Sequence, residues 1–248
     1  MLHPKSFQMK TFTTGIFLFA SLTLLLSFNA YLPMESKADP VKKNESSSKT
    51  LFFQTVYQEI SATGIRLSKE VFFLALHGFD KLQAQGRLSA DSILTIIDFT
   101  KSSREERMFV VDLKARKMLI SSLVSHGRNT GTEYAQKFSN KPESHQSSLG
   151  FYVTGQPYQG SNGYSLVLEG MEKGFNDKAK ERAIVMHGAD YASKQVIQYK
   201  GYLGRSLGCP ALPKQVNKKA IETIKGGNCL FIYYPDQKYL EGSEMLNG

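Results

Sequence analysis

The spacing of apolar residues changes part-way along this chain, and that change restricts the fold more than any single motif. Before Gly86, Val71, Phe72, Ala75, Phe79 and Leu82 recur at intervals of three and four, which predicts helices over 51–62 and 68–85. Ser68 is placed to cap the second helix and Gly86 to stop it. From Arg107 onward the apolar runs are short and divided by Gly- and Ser-rich connections. Runs at 108–113 and 117–124 flank Lys114-Ala115-Arg116 and predict a hairpin. Further strands are expected at 150–154, 165–168, 182–187 and 228–234, and a short element opening at Ser89 runs into apolar residues 93–99. One late helix is expected over 213–225, with Val216, Ala220, Ile221 and Ile224 on one face and Gly226 after it. The class is therefore α+β and mainly β, with a helical N-terminal piece.

The start of the chain bears on the compartment. Lys5 and Lys10 precede an apolar run over 12–32, and Ser36-Lys37-Ala38 supplies small residues for a cut after Ala38. The run is also long enough to span a bilayer if it is not cut. Residues 1–38 are thus expected to be a signal peptide or a membrane anchor, with any membrane link made through this segment alone. Residues 39–50 (DPVKKNESSSKT) have the composition of a flexible linker. Export carries the protein to the periplasm or the cell-wall face of the membrane. The formal charge of +9 suits an anionic partner, and export argues against that partner being nucleic acid. Two cysteines exclude a disulfide scaffold and an all-cysteine zinc site. Five histidines occur without an HExxH pair, so no metal and no cofactor are expected.

The densest chemistry lies in AIVMHGADYASKQVIQYKGYLGRSLGCPALP, residues 183–213. Residues 183–186 are apolar without alternation, as in a strand buried on both faces, and His187-Gly188 ends it. Ser206-Leu207-Gly208-Cys209-Pro210 follows. Gly208 lets another group approach the backbone, and Pro210 holds Cys209 extended. The Gly208 and Cys209 amides are candidates for an oxyanion hole. A thiolate is a nucleophile and an imidazole can take its proton, so Cys209 and His187 make a plausible pair. Cys229, within an apolar strand, reads as a buried and inert thiol.

These residues resemble the exported L,D-transpeptidases of bacterial cell walls, with a YkuD-like catalytic domain, and among them the murein L,D-transpeptidase branch. The resemblance rests on Met186-His187-Gly188-Ala189-Asp190-Tyr191 and on Gly204-Arg205-Ser206-Leu207-Gly208-Cys209-Pro210. It extends through Val124-Ser125-His126-Gly127-Arg128, Phe138-Ser139-Asn140, Ser147-Ser148-Leu149-Gly150 and Ser165-Leu166. It implies a β-sandwich catalytic domain over 93–240, preceded by a helical extension over 51–92. Cys209 then corresponds to the nucleophile, His187 to its base, Ser206 to a loop-organising hydroxyl and Gly208 to the oxyanion-loop glycine. Leu207 departs from the main family, which has a second histidine there. The implied reaction is acyl transfer from peptidoglycan stem peptides through a thioester, to an amine on a neighbouring stem or on a wall-attached protein. An L,D-carboxypeptidase or amidase would use water instead, and a wall-binding protein would keep the fold without turnover.

Four other residues are candidates for substrate binding. Arg205, His126 and Arg128 suit a stem carboxylate, and Tyr191 suits the wall of the groove. The cluster Lys178-Ala179-Lys180-Glu181-Arg182 reads as solvated charge.

Overall fold

The computed structural model describes residues 40–89 and 92–248, with side chains from Ser48, and residues 41–248 form one compact unit. The expected signal peptide or anchor, residues 1–38, lies outside the described residues. Among the described residues, no helix is long and apolar enough to cross a membrane.

The chain opens with α1 (Pro40–Ala62) and α2 (Lys69–Ala84). The linker expected over 39–50 is corrected from Pro40 onward, where α1 already runs. Its polar composition hid a helix start, because proline suits the first helical position and no glycine interrupts the turns that follow. Lys49 then ties this stretch to α2 through a 2.8 Å ion pair with Asp80.

Helix α2 forms where the spacing predicts, with Ser68 accepting from the Val71 amide at its start. Its buried face carries Val71, Phe72, Ala75, Leu76, Phe79 and Leu82. Each large apolar side chain buried this way stabilises the fold by about 1.5–3 kcal/mol. The same face packs on β1 (Ile93–Asp98) and β8 (Cys229–Tyr233). Gly78 lies so close to the Phe151 ring that an added Cβ would stand 2.1 Å from it. Within the helical extension, α2 therefore shares one core with the sheet.

Eight strands join edge to edge in the order β3-β2-β1-β8-β4-β5-β6-β7. The remaining strands are β2 (Met108–Asp112), β3 (Lys117–Ser122), β4 (Gly150–Gly160), β5 (Gly163–Gly170), β6 (Val185–Ala189) and β7 (Ala211–Pro213). The architecture is α+β as expected, a mostly-sheet domain of eight strands with helices added to it. Strand β4 links the two halves, pairing with β8 over 150–153 and with β5 as far as Gly160, with a register shift between Thr154 and Pro157. The expected strand at 182–187 starts later, at Val185, because Ala183 takes a left-handed φ of 52° that breaks extended pairing. Helix α3 (Lys194–Lys200) escaped prediction because it buries no residue, and β7 because it is three residues long. Helix α4 (Lys214–Ile224) forms as expected, burying Ala220, Ile221 and Ile224.

The chain does not leave the fold at 240. Helices α5 (Gln237–Gly242) and α6 (Glu244–Asn247) follow, and the Tyr239 and Ser243 hydroxyls both donate to the buried Glu172 carboxylate. Glu172 also accepts from the Phe151 amide at 2.6 Å, so the tail is hydrogen-bonded to the start of β4.

A second polar anchor is Arg107, which is fully buried. Its guanidinium donates to Val124 O, Lys101 O and His126 Nδ1, and it stacks on the Phe99 ring at 4.8 Å. Burial pushes its pKa down and nearby Asp98 pulls it up. Arg107→Met would strand those acceptors in the core, so a loss of about 3–5 kcal/mol is expected. Urea unfolding of both proteins measures it, as a lower midpoint at unchanged slope.

Candidate active site

Strand β6 carries His187 and runs parallel to β7, with His187 opposite Ala211. Two residues before Ala211, in the bend that leads into β7, is Cys209. The Cys209 thiol donates to the Ala183 carbonyl at 3.7 Å and meets the Val185 amide. Ala183 holds its left-handed conformation just at this contact, a strain of about 1–2 kcal/mol kept beside the thiol.

His187 is buried, and its Nδ1 lies 3.1 Å from its neighbour's carbonyl, Gly188 O. A carbonyl can only accept, so Nδ1 carries the proton and Nε2 keeps its lone pair. Burial lowers the His187 pKa. Burial likewise raises that of Cys209, with the Val185 amide and Arg182 opposing. Both shifts favour neutral forms, so the resting pair is thiol and imidazole.

Ser206 organises the turn before the thiol. Its hydroxyl donates to Cys209 O at 2.6 Å and accepts from the Gly208 amide at 3.0 Å. This corrects one expectation, since the Gly208 N–H is already committed and is no oxyanion donor. Among the described residues, no backbone carbonyl takes up the Cys209 amide, which turns toward its own sulfur. Gly208 has a φ of 129°, and a Cβ there would stand 2.9 Å from Gln146 O and Ile184 Cδ1, so only glycine fits. The run Gly204-Arg205-Ser206-Leu207-Gly208 also has the glycine–serine–glycine spacing of a hydrolase nucleophile elbow. Ser206 is buried with its hydroxyl engaged on both sides, which disqualifies it as a nucleophile.

A family model described as the L,D-transpeptidase catalytic domain matches residues 64–233. The chain belongs to that family. The match begins just before α2, consistent with a helix that is part of the domain. Among solved structures, an L,D-transpeptidase from Mycobacterium smegmatis is similar at 12% identity over 58% of this chain and 59% of that one, with a TM-score of 0.35. The helical cell shape determining protein Pgp2 from Campylobacter jejuni is similar at 14% identity over 57% of this chain and 47% of that one, with a TM-score of 0.36. An L,D-transpeptidase from Xylanimonas cellulosilytica is similar at 14% identity over 58% of this chain and 62% of that one, with a TM-score of 0.33. The chain thus covers less than two thirds of each of these structures. No curated protein matches it.

The other expected residues of this L,D-transpeptidase domain divide by location. Tyr191 is half-buried near the thiol, and burial together with Cys209 pushes its pKa up to about 12. Arg205 donates to the carbonyls of Arg128 and Gly131, and its guanidinium lies over the Tyr202 ring. Arg128 is exposed and bonds His145 Nδ1 at 2.8 Å. His126 is corrected as a substrate ligand. It is 1% exposed, and its Nδ1 accepts from Arg107. Burial and that neighbouring cation push its pKa down to about 3, so it is a neutral core group.

Arg182 is the residue the sequence hid. Lys178, Lys180 and Glu181 around it are exposed, as a solvated cluster should be. Arg182 itself is half-buried and turns inward to the loop at 139–148. A cavity of about 620 Å³ lies on that loop, lined by Ser139, Lys141, Ser144, Gln146 and Lys238 among others; neither Cys209 nor His187 lines it. Leu207, 58% exposed beside Cys209, is the large apolar side chain offered to solvent at the site.

Proposed function

We propose that this protein is a cysteine-dependent L,D-transpeptidase acting on peptidoglycan stem peptides at the cell-wall face of the membrane, after export through its N-terminal segment. The observation that supports the reading is the pairing of β6 with β7, which sets His187, with its Nε2 lone pair free, opposite Ala211, two residues after Cys209.

The thiol leaves Ala183 O and passes its proton to His187 Nε2. The thiolate attacks the carbonyl of the third stem residue, with the Cys209 amide donating to the developing oxyanion. The bond to the terminal D-residue breaks, His187 returns the proton to the leaving amine, and a thioester remains. An acceptor amine then attacks the thioester carbonyl, gives up its proton to His187, and releases the thiolate, which is reprotonated. With water as acceptor the same steps give an L,D-carboxypeptidase. Tyr191, Arg205 and Arg128 are the proposed substrate contacts.

Incubation with a disaccharide-tetrapeptide and mass spectrometry of the products tests the reading. Cross-linked dimer is the expected product. Trimmed tripeptide alone would assign the hydrolase, and unchanged substrate would leave a wall-binding role.

A further inference from the structure

Arg182 combines two features that a surface arginine lacks. Its guanidinium is held as a fork, donating to Ser139 O at 2.8 Å and Ser148 Oγ at 2.5 Å through one arm, and to Gln146 O at 2.7 Å and Ser144 Oγ at 3.2 Å through the other. All four acceptors are neutral oxygens, and among the described residues no carboxylate forms an ion pair with it. The charge is therefore fixed in place and left uncompensated. The second arm also runs alongside the nucleophile loop, since a Cβ built on Gly208 would stand 3.4 Å from it.

We propose that Arg182 is a positioning residue for the Cys209 thiol, supplying an unpaired positive charge to its thiolate while tying the loop at 139–148 against Gly208. The proposal rests on the assignment of Cys209 as nucleophile. The titratable groups around the thiol and its loop are His187 on β6, opposite Ala211, Tyr191 after it, and Arg182, with Tyr152 on β4 facing Arg182 in turn. Burial keeps the histidine and both tyrosines neutral near pH 7, so Arg182 is the charged member of this ring. A cation held beside a thiol favours the ionised form, and the half-buried setting limits screening by salt. Arg182 thus works against the burial that raises the Cys209 pKa.

The pH profile of iodoacetamide alkylation tests this on the native full-length chain, with the adduct mapped to Cys209 and melting temperatures taken in parallel. In Arg182→Gln the midpoint should move up in pH, and alkylation at pH 7 should slow several-fold. Arg182→Lys keeps a charge but loses the fork, and its single ammonium cannot serve both arms, so its midpoint should rise by less. Either variant suffices if the other fails to fold. A lowered melting temperature with an unmoved midpoint, in whichever variant folds, would overturn the proposal, because it is what a purely structural fork predicts. The readout needs no stem peptide, so it separates this inference from the transpeptidase reading.

Discussion

Cys209→Ala should reduce turnover of a disaccharide-tetrapeptide to the level of an enzyme-free control. The substitution removes the sulfur that forms the thioester, and nothing nearby replaces it: Ser206 is buried with its hydroxyl committed to Cys209 O and the Gly208 amide. Cys229 is fully buried in β8, where burial pushes its pKa far up. The fold should persist, since a methyl group fits where a thiol sat and the lost contact is one weak S–H bond to Ala183 O. Cys209→Ser should be nearly as damaging, because a hydroxyl is far harder to deprotonate than a thiol. Muropeptide chromatography beside circular dichroism measures both effects. Turnover retained in a folded Cys209→Ala protein would refute the site.

His187→Ala is expected to slow acylation by about 10²–10⁴-fold at neutral pH, the usual worth of a general base. Its pH dependence is the sharper check. Burial lowers the His187 pKa, so the imidazole is neutral at pH 7 and loses its base form only as pH falls through that lowered value. The acid limb of kcat/KM in the wild-type protein should therefore lie below the ordinary histidine value of ~6.5. In His187→Ala that limb should vanish. Residual acylation should instead climb with pH as the thiolate fraction grows, toward a midpoint above the ordinary thiol value because burial raises it. A full acid limb in the variant would assign the base elsewhere.

How much of this was legible in the sequence depended on whether a residue's partners lay nearby in the chain. Helix α2 was readable because its cap at Ser68 and its three-and-four spacing are local, and α4 for the same reason. Cys209 and His187 stood out because glycine and proline around them announce an unusual backbone. Arg182 was unreadable: its neighbours are surface charges, and its four acceptors lie 34 to 43 positions away. His126 misled in the opposite sense, since its sequence setting resembles an exposed binding turn while Arg107, 19 positions earlier, claims its ring in the core. The Gly208 amide looked free because a hydroxyl two residues before it, at Ser206, turns back to accept from it. The linker expected at 39–50 follows from polarity alone, whereas the Asp39-Pro40 pair in the sequence favours a helix start, and α1 runs from Pro40.

The most direct test of the central claim is to quench the wild-type protein in acid during turnover of a disaccharide-tetrapeptide and weigh it intact. The account predicts a mass increase equal to the substrate less its terminal D-residue, discharged by hydroxylamine as a thioester and mapped by peptide digestion to Cys209. Substrate consumed with no adduct on Cys209, or an adduct found on Cys229, would contradict it.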